Sequence, residues 1–448
     1  MSSLLLFASS CNDHGVAIVD PNPVGEQIKE IAIGNNRNLD VLFVIDNASS
    51  MKTRQQALSR GFGAFIDELE VLGAGRPNLH IGVISSDLGA GPYSITGCDA
   101  NGDTGALQNT PRIADCTAPT DRFIVDIQAA DGERLKNYQG TISETFSCIA
   151  ELGTSGCRFG QPLEAMFRAL NNSNPVLNDG FIRSDANLAI IIVTDQDDCS
   201  VEDLSMFNSD TRLDNADSQL GHFSEFRCFE FGVVCDPDSP RTTGERQNCE
   251  PRTGSPYMHD IGKYSSFLRS LKQLPLQITV ASIVGPSSNL RVVLDSSSKP
   301  TLAPSCCVGQ GCDSKLERYA RPAVRIDSFL SEFQPHATAT SLCSDDWRDS
   351  LRQIARSAAQ SLGTPCIAGD LRLSEGQPIC TVSERLSPSL TEELISECDS
   401  DSTTLPCYHF DVDSARCDWT ATGLALSVER GGAVPPANST LVARCEVL

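Results

Sequence analysis

Four stretches of this chain are apolar along most of their length and show no regular polar alternation: Val41–Ile45 (VLFVI), Leu79–Ser85 (LHIGVIS), Leu188–Val193 (LAIIIV) and Ile278–Val284 (ITVASIV). Successive side chains of a strand point to opposite faces, so a strand with one wet face alternates apolar with polar residues. A strand without that alternation is covered on both sides. This is the condition of a parallel sheet sandwiched between helices.

Helical periodicity fills the intervals. After Ser50, Met51, Leu58, Phe62, Phe65, Ile66, Leu69 and Leu72 form one apolar stripe. Thr141 and Glu144 have the spacing of a capping box, and Phe146 and Ile149 continue that helix. Pro162 suits a first helical turn and is followed by Leu163, Met166, Phe167 and Leu170. Two further stripes run through Tyr264, Phe267, Leu268, Leu271 and Leu274, and through Trp347, Leu351, Ile354, Ala358 and Leu362. Alternating strands and helices predict an α/β, doubly wound, mostly parallel sheet with right-handed crossovers.

We assign that domain to residues 39–363. Long polar, cysteine-bearing stretches near 88–135, 199–259 and 286–342 interrupt it and read as rim insertions pinned by disulfides. Residues 364–448 change character: six cysteines and short alternating runs, including Leu424–Arg430 and Ser439–Arg444, predict a small β-rich disulfide domain. Residues 1–38 read as a leader-like segment and linker.

The chain has 19 cysteines among 448 residues, a density that fits an oxidising compartment. Cys11 stands apart; 12 cysteines fall between Cys98 and Cys343 and six between Cys366 and Cys445, so pairing within each region is arithmetically complete. The run Leu4–Ser10 before Cys11 resembles the end of a bacterial lipoprotein signal, although no Lys or Arg precedes it. That resemblance implies lipidation at Cys11 and a cell-envelope or secreted location, with membrane contact only through the anchor. The net charge of -23 repels phosphate backbones and argues against nucleic acid as a partner.

Two strand ends carry the chemistry. The first runs into Asp46-Asn47-Ala48-Ser49-Ser50-Met51, the third into Thr194-Asp195-Gln196-Asp197-Asp198-Cys199-Ser200. A carboxylate at a strand's carboxyl end, followed by hydroxyls at a helix start, resembles the metal-ion-dependent adhesion site of von Willebrand factor type A (vWA) domains, whose first motif is Asp-x-Ser-x-Ser. The resemblance spans about 39–363 and implies a Rossmann-like fold and a non-enzymatic adhesion module that engages a protein or surface polymer. It also implies a divalent ion, Mg2+ or Ca2+, held by Asp46, Ser50 and Asp195, with Asp197, Asp198 and Asp87 as substitute ligands. The sequence departs from the pattern at Ala48, whose methyl cannot ligate, and at Gly156–Gln161, where the family has a threonine and this chain has no hydroxyl. The competing expectation is a structural envelope scaffold with a vestigial, metal-free site.

Other signals are slighter. Asp99–Gly105 has the oxygen pattern of a calcium loop without its glutamate, and flanking Cys98 and Cys116 favour a disulfide-closed turn. Cys306, Cys307, Cys312 and Cys343 lack paired Cys-x-x-Cys spacing, which favours disulfides over zinc. No catalytic elbow, phosphate loop or His-x-x-x-His pair is present.

Overall fold

The computed structural model describes residues 27–34, 37–72, 76–129, 133–272, 275–307, 319–362, 366–367, 369–374, 376–386, 391–398, 404–412, 417, 420–430 and 439–447. The lipidation expectation at Cys11 lies outside them.

The central sheet is built from β2 (Asn38–Ile45), β3 (Asn78–Ser85), β4 (Ile124–Gln128), β5 (Arg134–Lys136), β6 (Asn187–Val193), β7 (Ile278–Val284) and β8 (Ala337–Ser341). Its spatial order is β8-β7-β6-β2-β3-β4-β5. All pairs from β8 to β3 are parallel, and the β4–β5 edge is antiparallel. The order runs outward from β2 in one direction and then outward from β6 in the other, so the two halves meet at β2 and β6. This is the doubly wound arrangement, with its switch point between those strands.

Helices cover both faces. On one side α1 (Lys52–Leu72), α2 (Ile142–Ala150) and α7 (Arg348–Leu362) pack on Val41, Phe43 and Ile45. On the other, α3 (Pro162–Leu170), α5 (Ile261–Ser270) and α6 (Val324–Ser331) pack on Leu42 and Val44. Neighbouring residues of β2 therefore enter two different cores, which is why the strand is apolar at both parities. Phe43, Phe62 and Phe146 lock the first core, the last two stacking at 3.7 Å. Truncating Phe62 to Ala is expected to cost about 3–5 kcal/mol. The capping box of α2 forms as its spacing predicts, with Glu144 accepting from Thr141 N–H at 2.9 Å and Thr141 Oγ1 accepting from Glu144 N–H at 3.2 Å.

Parts of the stretches read as insertions belong to the sheet. The 88–135 stretch contains β4 and leads into β5. Asp126, wholly buried in β4, disguises that strand in the sequence; Arg76 and Arg134 pair with it at 2.9 and 2.5 Å. The 286–342 stretch contains α6 and edge strand β8. The sequence of β8, Ala-Thr-Ala-Thr-Ser, is small and only half-buried, so it lacks an apolar signature. The 199–259 stretch carries α4 (Phe226–Gly232) and packs Met206, Phe207, Tyr257 and Met258 with Phe159 in a separate small core.

The second sheet contains β1 (Gln27–Gly34), β9 (Cys380–Leu386), β10 (Thr391–Glu397), β11 (Cys407–Val412), β12 (Leu424–Glu429) and β13 (Ser439–Val447), in the order β1-β13-β9-β10-β11-β12. Residues 27–34, read as linker, instead pair antiparallel with the last strand, Gln27 opposite Val447 and Gly34 opposite Thr440. The partner lies at the far end of the sequence, so no local pattern reports it.

Eight disulfides join described residues: Cys98–Cys157, Cys116–Cys148, Cys199–Cys228, Cys235–Cys249, Cys306–Cys343, Cys366–Cys417, Cys380–Cys445 and Cys398–Cys407. Each stays within its region, as the parity predicts. The turn at 99–105 is not closed by its flanking cysteines, because Cys98 pairs with Cys157 after α2 and Cys116 with Cys148 within α2, not with each other.

Candidate functional site

The carboxyl ends of β2 and β6 lie side by side, Ile45 opposite Val193, and the Asp46 N–H donates to Val193 O at 2.9 Å. Asp46 and Asp195 therefore meet at the switch point, where ligands bind in open α/β sheets. Both are buried, with 2 % and 5 % of their surface exposed. The Asp46 carboxylate accepts from Ala48 N–H through Oδ1 and from Thr194 Oγ1 through Oδ2, each at 2.8 Å. The Ser50 hydroxyl, at the turn leading into α1, donates to Asp195. Asp195 Oδ1 is buried and has no hydrogen-bond partner. Ser50 is half-buried and Ser49 exposed, so the crest reaches solvent on the α1 side.

Two carboxylates desolvated together resist ionising. Burial, then the charge of Asp195, pushes Asp46 up to about 7. Burial also raises Asp195, opposed by the Arg54 guanidinium, the Ser50 hydroxyl and Arg321. Arg54 is itself buried on α1, where it donates to Tyr319 O at 2.7 Å.

The segment 153–161 is held beside this crest by several bonds. Gln55 of α1 donates to Asp46 O at 3.0 Å and to Gly153 O at 2.9 Å, and Gly156 N–H donates to Asn47 O at 2.9 Å. Gly156 has to lack a side chain, since a Cβ there would stand 2.0 Å from Asn47 Oδ1. The disulfide Cys98–Cys157 ties the same segment to the loop after β3.

The other predicted ligands are engaged elsewhere. Asp87 accepts from Gly89 N–H at 2.8 Å and from Cys157 N–H at 3.1 Å, which closes its own turn and pins the segment above. Asp197 takes the Arg325 and Ile326 N–H groups and so caps α6; burial raises its pKa to about 7 against those bonds. Asp198 has no exposed surface. Its Oδ1 accepts from Leu163 N–H at 3.1 Å, at the start of α3, and its Oδ2 pairs with buried Arg325 at 3.1 Å. These three carboxylates build the fold: each holds backbone N–H groups, and Asp198 also holds the Arg325 guanidinium. Sequence reasoning placed Asp46, Ser50 and Asp195 together and missed Arg54, Thr194 and Ser86. Ser86 is wholly buried, and its Oγ also lacks a partner. Its only signal was a hydroxyl immediately after an apolar strand.

A hard divalent cation takes charged and neutral oxygens. Two buried carboxylates at adjacent strand ends, a hydroxyl already bonded to one of them, and a buried carboxylate oxygen with no partner fit that donor chemistry.

No family model matches the chain, and no curated protein matches it. Among solved structures it is similar to the von Willebrand factor type A protein from Catenulispora acidiphila, with 11 % identity, a TM-score of 0.27, and coverage of 94 % of this chain and 66 % of that one. It is also similar to the pilus adhesin SpaC from Lactobacillus rhamnosus GG in its open conformation, with 10 % identity, a TM-score of 0.29, and coverage of 93 % of this chain and 39 % of the adhesin. A second form of that adhesin gives 12 % identity, a TM-score of 0.29, and coverage of 93 % and 40 %. The chain thus spans just under two-thirds of the first protein and about two-fifths of the adhesin. Likeness this slight carries none of the argument, and the fold rests on the strand order and the two-sided helix packing described above.

Proposed function

We propose that this chain is a non-enzymatic binding module of the vWA type, exposed on the cell envelope or secreted, that engages a protein or surface polymer through a divalent cation at the β2–β6 crest. The observation that carries the reading is the meeting of Asp46 and Asp195 at the switch point, at the ends of adjacent strands, both buried, with Asp195 Oδ1 left without a partner. Groups so arranged are costly unless something positive joins them. Mg2+ or Ca2+ would supply that charge and a coordination position open to a partner's carboxylate. Asp46 and Asp195 provide the charge that holds the ion, Ser50 orients Asp195, and exposed Ser49 beside half-buried Ser50 marks the side on which the buried site approaches solvent. The disulfides fit an oxidising compartment, and lipidation at Cys11 would provide the anchor.

Envelope fractions of the producing organism, passed over the immobilised chain, test the reading. Capture is expected in Mg2+ or Ca2+, and loss of capture in EDTA and with Asp46→Ala. Equal capture in all three conditions refutes it.

One observation favours a metal-free scaffold as the second reading: Arg54 and Arg321 already bring positive charge toward Asp195, while Ala48 offers no ligand. A scaffold predicts that chelator changes nothing and that reductant unfolds the chain.

A further inference from the structure

The resemblance leaves the crest short of hydroxyl ligands at Ala48 and in the 156–161 segment, and the neighbouring strand supplies one. We propose that Ser86 Oγ is a direct ligand of the crest cation, replacing the oxygen that Ala48 and Gly160 cannot provide; this rests on the cation reading above.

The backbone fixes where Ser86 stands. It follows β3, whose last residue Ser85 lies opposite Ile45. Its N–H donates to Ile45 O at 3.1 Å, one residue before Asp46, and its own carbonyl accepts from Gln161 N–H at 2.8 Å. Ser86 is thus held between the Asp46 strand end and the segment that carries Gly160.

Gly160 leaves a recess there. A Cβ on Gly160 would stand 3.1 Å from Ser86 Oγ and 3.7 Å from Asp46 Oδ2, so both oxygens border the space that its missing side chain vacates. The neighbouring hydroxyls are spoken for. Thr194 Oγ1 donates to Asp46 and accepts from Gln196 N–H at 3.1 Å. Ser85 Oγ donates to Asp103 at 2.6 Å and accepts from Asp87 N–H at 3.2 Å. Ser86 Oγ alone of these three is wholly buried with no partner. A hydroxyl buried unpaired is destabilising, and an alanine of nearly the same size would avoid that penalty. A neutral oxygen also suits the electrostatics, because Asp46 and Asp195 already carry the two negative charges that balance a divalent ion.

Mn2+ titration of the full chain, followed by the electron paramagnetic resonance signal of the free ion, tests the proposal with wild type, Ser86→Ala and Asp46→Ala. Wild type is expected to bind one ion, Asp46→Ala none, and Ser86→Ala at least ~10-fold more weakly, the scale seen when groups supporting a metal site are removed. Gly160→Ala, which crowds the recess, is expected to weaken binding too. In EDTA, Ser86→Ala should melt no lower than wild type. If wild type binds nothing, the cation reading fails and this inference with it. If wild type binds, Asp46→Ala does not, and Ser86→Ala matches wild type, the crest reading stands and Ser86 is no ligand. A lower melting temperature of Ser86→Ala in EDTA assigns it a structural role and also overturns the proposal.

Discussion

Asp195 and Asp198 sit on the same segment after β6, both nearly inaccessible to solvent, yet their surroundings differ. Every acceptor direction of Asp198 is used: Leu163 N–H and Ser200 Oγ on one oxygen, Ser200 N–H and the Arg325 guanidinium on the other. Asp195 keeps an oxygen without a partner, and its charge raises the pKa of a second buried carboxylate, Asp46, on the adjacent strand end. The first arrangement joins the start of α3, the 194–200 segment and α6 into one unit. The second holds charge that the protein alone leaves poorly compensated. A fold tolerates such a site where the surrounding bonds over-determine it, and such sites cluster at binding and catalytic centres. Gln55, Gly156 and Cys98–Cys157 are that over-determination here.

The largest effect should come from breaking the satisfied partner. Asp198→Ala strands Arg325, which has 1 % of its side chain exposed, and is expected to cost about 3–5 kcal/mol in urea unfolding. Asp195→Asn, measured in EDTA, should instead leave stability unchanged or raise it by ~1 kcal/mol, since it removes a desolvated charge. Equal losses for the two variants would erase the distinction between the sites.

The pH profile sharpens the same contrast. Asp46 titrates at about 7 in the folded chain, against 3.8 for a free aspartate. Between those values the folded chain retains a proton that the unfolded chain releases. The ion-free protein should therefore lose stability as pH rises through that window, by up to ~1.4 kcal/mol per unit for one proton. Below the window the difference vanishes. The wild-type curve minus that of Asp46→Asn should show this slope, and a flat difference would remove the electrostatic argument. A smaller effect is expected at Asp197→Ala, which uncaps α6 and should cost about 1 kcal/mol by thermal or urea unfolding, with no change in ion binding. A loss of ion binding there would return Asp197 to the site.

Much of this was legible before the structure. The apolar strands, the helical stripes and the carboxylates Asp46 and Asp195 follow from local pattern, because burial on both faces and a strand-to-helix turn leave a mark within a few residues. The partner of Asp198 is 127 residues away, and β1 pairs with the other end of the chain. Such contacts depend on how loops route between elements, and no window of sequence records them. For the same reason Asp87, Asp197 and Asp198 looked equivalent to Asp195: a carboxylate's role is set by which N–H groups and guanidinium reach it. Ser86 escaped notice because a serine after a strand is ordinary until its hydroxyl is found buried without a partner. Strand β4 and the edge strand β8 were hidden by a buried aspartate and by small polar residues.

Isothermal titration calorimetry of Mg2+, Ca2+ and Mn2+ into the disulfide-intact chain tests the central claim most directly. The account predicts one ion bound per chain, abolished by Asp46→Ala and by Asp195→Ala and weakened as pH falls below about 7. No binding heat for any of the three ions at millimolar concentration would contradict it.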